Sequence, residues 1–201
     1  STNMLNSFDI LVLPNGNYKT TFDKEELKLL KNWVSRGGKV IAIGSSLNTF
    51  VDKDGFGLTK KKKENEEETK KELISYAKSE RENISNFITG AIFKTKVDNT
   101  HPLAFGYGDS YFTLKLGNTA YDYLEKGYTV SYLEDTKAVS GFAGHKAAKE
   151  IENTLVFGEY RIGSGSMIYM VDNPLFRAFW ENGKLFFANA VFFVNTNSFE
   201  L

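Results

Sequence analysis

One strand-helix-strand unit near the start of the chain restricts the fold more than any other feature of the sequence. Residues 9–13 (DILVL) form a continuous apolar run that Pro14 and Asn15 stop, a pattern typical of a buried strand. A helical pattern follows, and residues 37–44 (GGKVIAIG) supply the next strand. Two strands joined through a helix pair in parallel by a right-handed crossover. The unit therefore predicts an α/β fold with a mostly parallel central sheet.

The helix of this unit has recognisable ends. Asp23 is placed to cap its first turn, with Glu26 at the capping-box position. Trp33 and Val34 belong to an apolar stripe at helical spacing, and Gly37 follows its last turn. We expect one helix between the two strands.

The second half of the chain changes to short runs of aromatic and β-branched residues. These runs predict a mixed or antiparallel extension of the sheet. A glycine-rich turn at residues 161–165 predicts a β-hairpin, and Asn173 with Pro174 suits the start of an apolar final helix. The strands are expected at residues 93–97, 111–116, 129–133, 155–160 and 166–171.

A charged stretch interrupts the pattern at about residues 59–82, where residues 60–72 read KKKKENEEETKKE. Its opposite charges lie at spacings that suit an exposed helix or a mobile insertion. The whole chain also balances 25 basic against 25 acidic residues. This balance gives no reason to expect nucleic acid or an acidic membrane as a partner, and no apolar run is long enough to span a bilayer.

Four segments carry a resemblance to a known family. They are residues 8–16 (FDILVLPNG), 37–44 (GGKVIAIG), 101–108 (HPLAFGYG) and 171–193 (VDNPLFRAFWENGKLFFANAVFF). Together they resemble the C-terminal portion of large bacterial proteins of the M14 zinc carboxypeptidase family, a type commonest in Bacteroidetes. Residues 101–108 also resemble the His-Pro-hydrophobic segment of ThuA-like proteins.

The resemblance implies a fold, a partner and a location. It implies a single domain over residues 1–201 with the flavodoxin-like sandwich of class I glutamine amidotransferases. The peptidase domain of the parent protein would hold the zinc ion and be the partner of this chain. The parent would act in the periplasm or outside the cell. Such domains usually open with one further strand-helix-strand unit, so we expect an N-terminally truncated sheet whose free edge favours a homodimer or an irregular N-terminal region.

The candidate catalytic residues follow the second strand. Residues 44–48 (GSSLN) match a nucleophile elbow except at the last position, which makes Ser46, or Ser45, a possible nucleophile. The bases available are His101 and His145, and Leu103 stands where the amidotransferase-like pattern has an acid after His-Pro. We therefore predict a structural elbow without catalysis, in which Ser46→Ala changes folding little. A serine-dependent hydrolase is the alternative.

Metal and ligand sites receive separate predictions. The family's zinc site requires His-x-x-Glu and a third histidine, and the two histidines of this chain lack that context, so no metal or cofactor is expected here. A ligand would bind where parallel strands end, which places Asn15, Gly16, Gly44, Ser45 and Ser46 around a candidate cleft.

Three function classes follow from these observations. The first is a non-catalytic accessory domain of an M14-like carboxypeptidase, in which some aromatic residues of the final segment dock on the peptidase domain. The second is the serine hydrolase. The third is a module that binds a small ligand or a glycan at the strand ends.

Overall fold

The computed structural model describes residues 2–62 and 75–194. Four short 3₁₀ segments join the main elements, at Thr2–Ser7, Gly44–Thr49, Pro102–Ala104 and Phe176–Ala178. The strands are β1 (Ile10–Leu13), β2 (Lys39–Ile43), β3 (Ile88–Val97), β4 (Ser110–Lys115), β5 (Tyr128–Leu133), β6 (Ala138–Ala143), β7 (Thr154–Ile162) and β8 (Gly165–Met170). The helices are α1 (Lys24–Ser35), α2 (Tyr76–Ser85), α3 (His145–Glu150) and α4 (Glu181–Phe192).

The described strands form one mixed sheet of eight strands. Its order is β1-β2-β8-β7-β5-β3-β4, with β6 also pairing with β3. The first strand-helix-strand unit is confirmed, because β1 and β2 are parallel neighbours. The predicted mostly parallel, flavodoxin-like sheet is wrong, since only the β1–β2 and β2–β8 pairings among the described strands are parallel. The reason is that β8 returns through a hairpin from β7, and hairpins force antiparallel pairing.

The β-rich extension of the sheet is confirmed as antiparallel, and β3 organises it. One edge of this strand pairs with β4. The other edge pairs with β6 along Ile88–Phe93 and with β5 at Lys96 and Val97. The sheet also curls, because Lys115 at the end of β4 reaches Asp172 just beyond β8, four strands away in the sheet order. A flat sheet would hold those strands about 19 Å apart.

Helices cover both faces of the sheet, so the predicted α/β class is confirmed. Along β2, Val40 and Ala42 pack with α1, whereas Ile41 and Ile43 belong to the core that contains Phe186 of α4. This alternation follows the two-residue period of a strand. Strand β2 is fully buried, as its continuous apolar sequence predicts.

The predicted start of α1 is confirmed, whereas the predicted start of α4 is wrong. The Asp23 carboxylate accepts hydrogen bonds from the amides of Glu25 and Glu26, so the predicted cap of α1 is confirmed. Helix α4 begins at Glu181 rather than near Pro174, because Arg177 and Ala178 have φ angles of 49° and 59°, which no α-helix contains.

Two further predictions concern the charged insertion and the outer edge of β1. The charged insertion predicted at about residues 59–82 lies partly outside the described residues, and its last part belongs to α2. Strand β1 stands at one end of the sheet order, so its outer edge has no strand partner within residues 2–62 and 75–194. Dimerisation through a free edge stays a prediction.

Candidate functional site

The loops after β1 and β2 meet at what we call the carboxyl edge, where the parallel strands β1, β2 and β8 end. The side-chain oxygen of Asn15 accepts a hydrogen bond from the Ser45 amide at 2.8 Å. The Ser45 hydroxyl lies 2.9 Å from that oxygen and 3.1 Å from the Gly16 carbonyl oxygen. The structure therefore brings together the exposed residues that the sequence placed around a cleft.

Gly44 makes this meeting of the loops possible. Its φ angle is +60°, in the left-handed region that favours glycine. A Cβ atom at this position would lie 2.5 Å from the Asn15 side-chain oxygen. Gly44 thus allows the chain to turn sharply out of β2 while Asn15 crosses close to its backbone.

Ser46 faces inward from the same turn. The residue is fully buried, and its Oγ donates to the Ile43 carbonyl oxygen at 2.9 Å and accepts from the Ile43 amide at 2.8 Å. Both hydrogen bonds tie the turn to the end of β2. The hydroxyl is closed off from solvent, and a substrate at the surface does not reach it.

His101 lies apart from both serines and serves a different network. Its Nδ1 accepts a hydrogen bond from the Leu103 amide, so the neutral ring carries its proton on Nε2. Nε2 lies 2.9 Å from a carboxylate oxygen of Glu159. His145, expected in a loop, is the exposed first residue of α3. Among the described residues, no hydrogen bond joins either serine to either histidine.

Glu159 is the buried centre of this network, and sequence reasoning missed it. Its carboxylate also accepts from the Ser166 hydroxyl at 2.5 Å and from Nε of Arg161 at 3.3 Å. Burial acts to raise the pKa of Glu159, but the hydrogen bonds from His101 and Ser166 and the Arg161 charge hold that pKa below its usual value. A single glutamate in an apolar strand gave no sequence signal for these partners.

Lys39 is a second buried charge near this network. Its amino group donates to the carbonyl oxygens of Ala190 and Val191 in the last turn of α4, at 2.9 and 3.1 Å. A cation is favourable at that end of a helix. Burial lowers the pKa of Lys39, and the charge of Glu159 acts in the opposite direction. The residue fastens α4 to the start of β2.

A separate buried charge pair lies just beyond β8. The Lys115 amino group is 3.0 Å from a carboxylate oxygen of Asp172, and the Thr113 hydroxyl donates to the same carboxylate at 2.7 Å. Lys115 and Thr113 are buried, and Asp172 is largely so. The pair closes the curl of the sheet by joining β4 to the carboxyl edge.

Exposed apolar residues at the outer side of α4 and the neighbouring 3₁₀ segment form what we call the aromatic face: Phe105, Leu185, Phe192 and Phe193. Phe192 is 79% exposed, and the rings of Phe105 and Phe193 are 5.0 Å apart between centroids. Leu185 precedes Phe192 by seven positions and so lies on the same side of the helix. The inner side of α4 carries Phe186, which is fully buried in the core.

The described residues contain neither a metal-binding cluster nor a helix that could span a membrane. No group of three or more histidine, aspartate or glutamate side chains within residues 2–62 and 75–194 is arranged to hold a metal ion. None of the helices in this part of the chain has both the length and the apolar character needed to cross a membrane.

Comparison with known proteins finds similarity of structure only. No protein-family model matches the chain, and no curated protein matches it. A cytoplasmic protein of Salmonella typhimurium is 13% identical, with a TM-score of 0.50 over 95% of this chain and 73% of that one. A putative ThuA-like protein of Bacteroides uniformis is 12% identical, with a TM-score of 0.49 over 94% of this chain and 70% of that one. A second cytoplasmic Salmonella typhimurium protein is 12% identical, with a TM-score of 0.49 over 97% and 75% of the two chains. At these identities the similarity concerns the α/β fold alone.

Proposed function

We propose that this chain is a non-catalytic accessory domain that docks on the peptidase domain of an M14-like zinc carboxypeptidase. Its contribution is to folding, to packing between domains or to presentation of the substrate. The four segments that resemble the M14-associated domain support the identity of the partner. The aromatic face supports the proposal that this chain docks on another domain.

The observation that carries the proposal is the apolar character of α4 on both sides. Within residues 185–193 (LFFANAVFF) the single polar residue is Asn189, and it is buried. A helix that is apolar all round is normally buried all round. Contiguous apolar surface of this kind on a soluble domain marks an interaction site. Phe105 extends the same surface beyond the helix.

The rest of the proposal rests on the resemblance. The resemblance implies an amidotransferase-like fold, in the broad sense of a layered α/β domain. The zinc ion and the proteolytic chemistry belong to the parent's peptidase domain, and the parent is secreted to the periplasm or beyond.

The alternatives receive less support from the geometry. A hydrolase needs a reachable serine next to a histidine, whereas Ser46 is sealed against Ile43 and His101 is committed to Glu159 and Leu103. A ligand or glycan module at Asn15 and Ser45 would have to displace the hydrogen bonds that these residues make with each other.

The gene that encodes the chain provides the first test. A His-x-x-Glu segment and a third histidine upstream would support the proposal, and a gene without a peptidase-like region would refute it. The whole gene product then allows a direct test of docking. We expect Phe105→Ser with Phe192→Ser to increase cleavage of the interdomain linker by a protease.

Leu29→Ser is the matched control for this experiment. Leu29 is 46% exposed but lies on α1, across the sheet from α4. If the control and the aromatic-face variant are cleaved at the same rate, the aromatic face is not the docking surface.

A further inference from the structure

A groove of about 900 Å³ lies between α1 and the segment that follows β2. One wall is the first two turns of α1, and the other is formed by residues 48–56. Lys19 and Phe22, from the loop after β1, also line the groove. The groove therefore sits at the carboxyl edge of β1 and β2, the place where parallel α/β sheets hold ligands. Its volume falls within the range of small-molecule sites.

The wall formed by α1 is cationic. Lys24, Lys28 and Lys31 all line the groove, at positions i, i+4 and i+7, which share one side of a helix. Lys19 and Lys53 add two further amino groups to the lining. Within residues 2–62 and 75–194, no carboxylate lies within ion-pair distance of the amino groups of Lys19, Lys24, Lys28 or Lys53.

The lining also contains three acidic residues, Asp23, Glu25 and Asp54, against its five lysines. Asp23 accepts two backbone hydrogen bonds at the start of α1, and Asp54 lies 3.6 Å from the Lys31 amino group. The groove is thus locally positive in a chain whose formal net charge is zero. Such a concentration of like charge in a concave site favours an anion.

The remaining lining is apolar and includes one unusual hydroxyl. Phe22, Leu27, Val51 and Phe56 provide apolar surface beside the lysines. Thr49, also in the lining, is only 3% exposed, and its Oγ1 has no hydrogen-bond partner among the described residues. A buried hydroxyl without a partner is destabilising and rare in native proteins. This hydroxyl is closed off from solvent in the free chain, so a ligand supplies the missing partner when its binding shifts the side chains that cover Thr49.

We propose that this groove binds a small organic anion, a carboxylate or phosphate carried on an apolar body. The lysines of α1 hold the charged group, and the apolar body packs against Phe22 and Phe56. The site is separate from the docking surface on α4. A test of the groove therefore does not test the accessory-domain proposal.

Phenyl phosphate is a suitable probe because it combines both features. We would follow its titration through backbone amide shifts in NMR spectra of the whole chain, with inorganic phosphate and benzyl alcohol as half-probes. We expect saturable shifts confined to residues 19–31 and 48–56. Each half-probe should bind at least about tenfold more weakly than phenyl phosphate, because it lacks either the charged contacts or the apolar contacts.

Variants separate a built site from general charge attraction. Lys24→Gln with Lys28→Gln should weaken phenyl phosphate binding at least about tenfold, since it removes two charge-assisted contacts. The matched control is Lys94→Gln with Lys126→Gln, two exposed lysines outside the groove, and it should change binding less than about twofold. Thr49→Val should weaken binding about threefold or more while leaving Tm unchanged or higher, because its hydroxyl stabilises nothing in the free chain.

Three results would overturn the proposal. One is the absence of saturable shifts in the groove. Another is equal weakening by the two lysine pairs, which would indicate attraction to net charge alone. The third is inorganic phosphate binding as tightly as phenyl phosphate, which would exclude the apolar surface from recognition.

Discussion

Replacing Ser46 with alanine removes two hydrogen bonds from the interior of the protein. Its Oγ joins both the amide and the carbonyl group of Ile43, and the residue is fully buried. A net hydrogen bond contributes about 0.5–1.5 kcal/mol, so Ser46→Ala should lower the free energy of unfolding by about 1–3 kcal/mol. For a chain of 201 residues this corresponds to a fall in Tm of about 2–7 °C.

This predicted loss of stability differs from the expectation drawn from sequence, which was little change in folding. Ser45→Ala is the matched control, because Ser45 is exposed and its neighbour Asn15 keeps its bond to the Ser45 amide. The control should change the free energy of unfolding by less than about 0.5 kcal/mol. Urea unfolding followed by circular dichroism measures both variants.

Two observations would refute the reasoning about Ser46. Equal stability of Ser46→Ala and Ser45→Ala would mean that the Ile43 hydrogen bonds contribute nothing. Labelling of Ser46 in the folded protein by a fluorophosphonate would mean that its hydroxyl is reachable and activated, as in a hydrolase.

Three further predictions concern buried charge and the turn after β2. The lowered pKa of Glu159 stabilises the fold above the ordinary glutamate pKa of 4.5 and is lost as pH falls through the folded-state value, so Glu159→Gln should flatten the acid limb of a stability profile measured by urea unfolding. Gly44→Ala should cost about 1–3 kcal/mol through its positive φ and the clash with Asn15, whereas Gly117→Ala, with open space around its Cβ, should cost less than about 1 kcal/mol in the same assay. Asp172→Asn leaves the buried Lys115 charge without its counterion and should cost about 3–5 kcal/mol, and if thermal unfolding shows no loss the pair does not stabilise the fold.

The part of the fold that the sequence predicted is the part set by local pattern. The apolar run at residues 9–13, the Asp23 cap and the glycine turn at residues 161–165 each determine their element within a few residues. The neighbour of β2 could not be predicted in this way. Its partner β8 comes from the far end of the chain, and the choice depends on packing between distant segments.

The candidate site also has a part that the sequence predicted and a part that it did not. Asn15 and Ser45 were expected to meet because both follow strands that end at one edge of a sheet. The inward direction of Ser46 depends on the 3₁₀ turn after Gly44, which a sequence pattern of glycine and serine does not specify. The partners of Glu159 were equally hidden, since His101 and Ser166 reach it only in the folded sheet.

The pairing of β2 with β8 also orders the events of folding. A ribosome releases β1, α1 and β2 before β8, so the inner edge of β2 stays without a partner until the later strand β8 has been made. The β7–β8 hairpin can close locally and quickly once it emerges, and its docking on β2 then completes the centre of the sheet. Until that moment β2 presents an apolar strand edge to other chains. Expression at reduced temperature or with chaperones that shield such edges should therefore increase the yield of soluble protein.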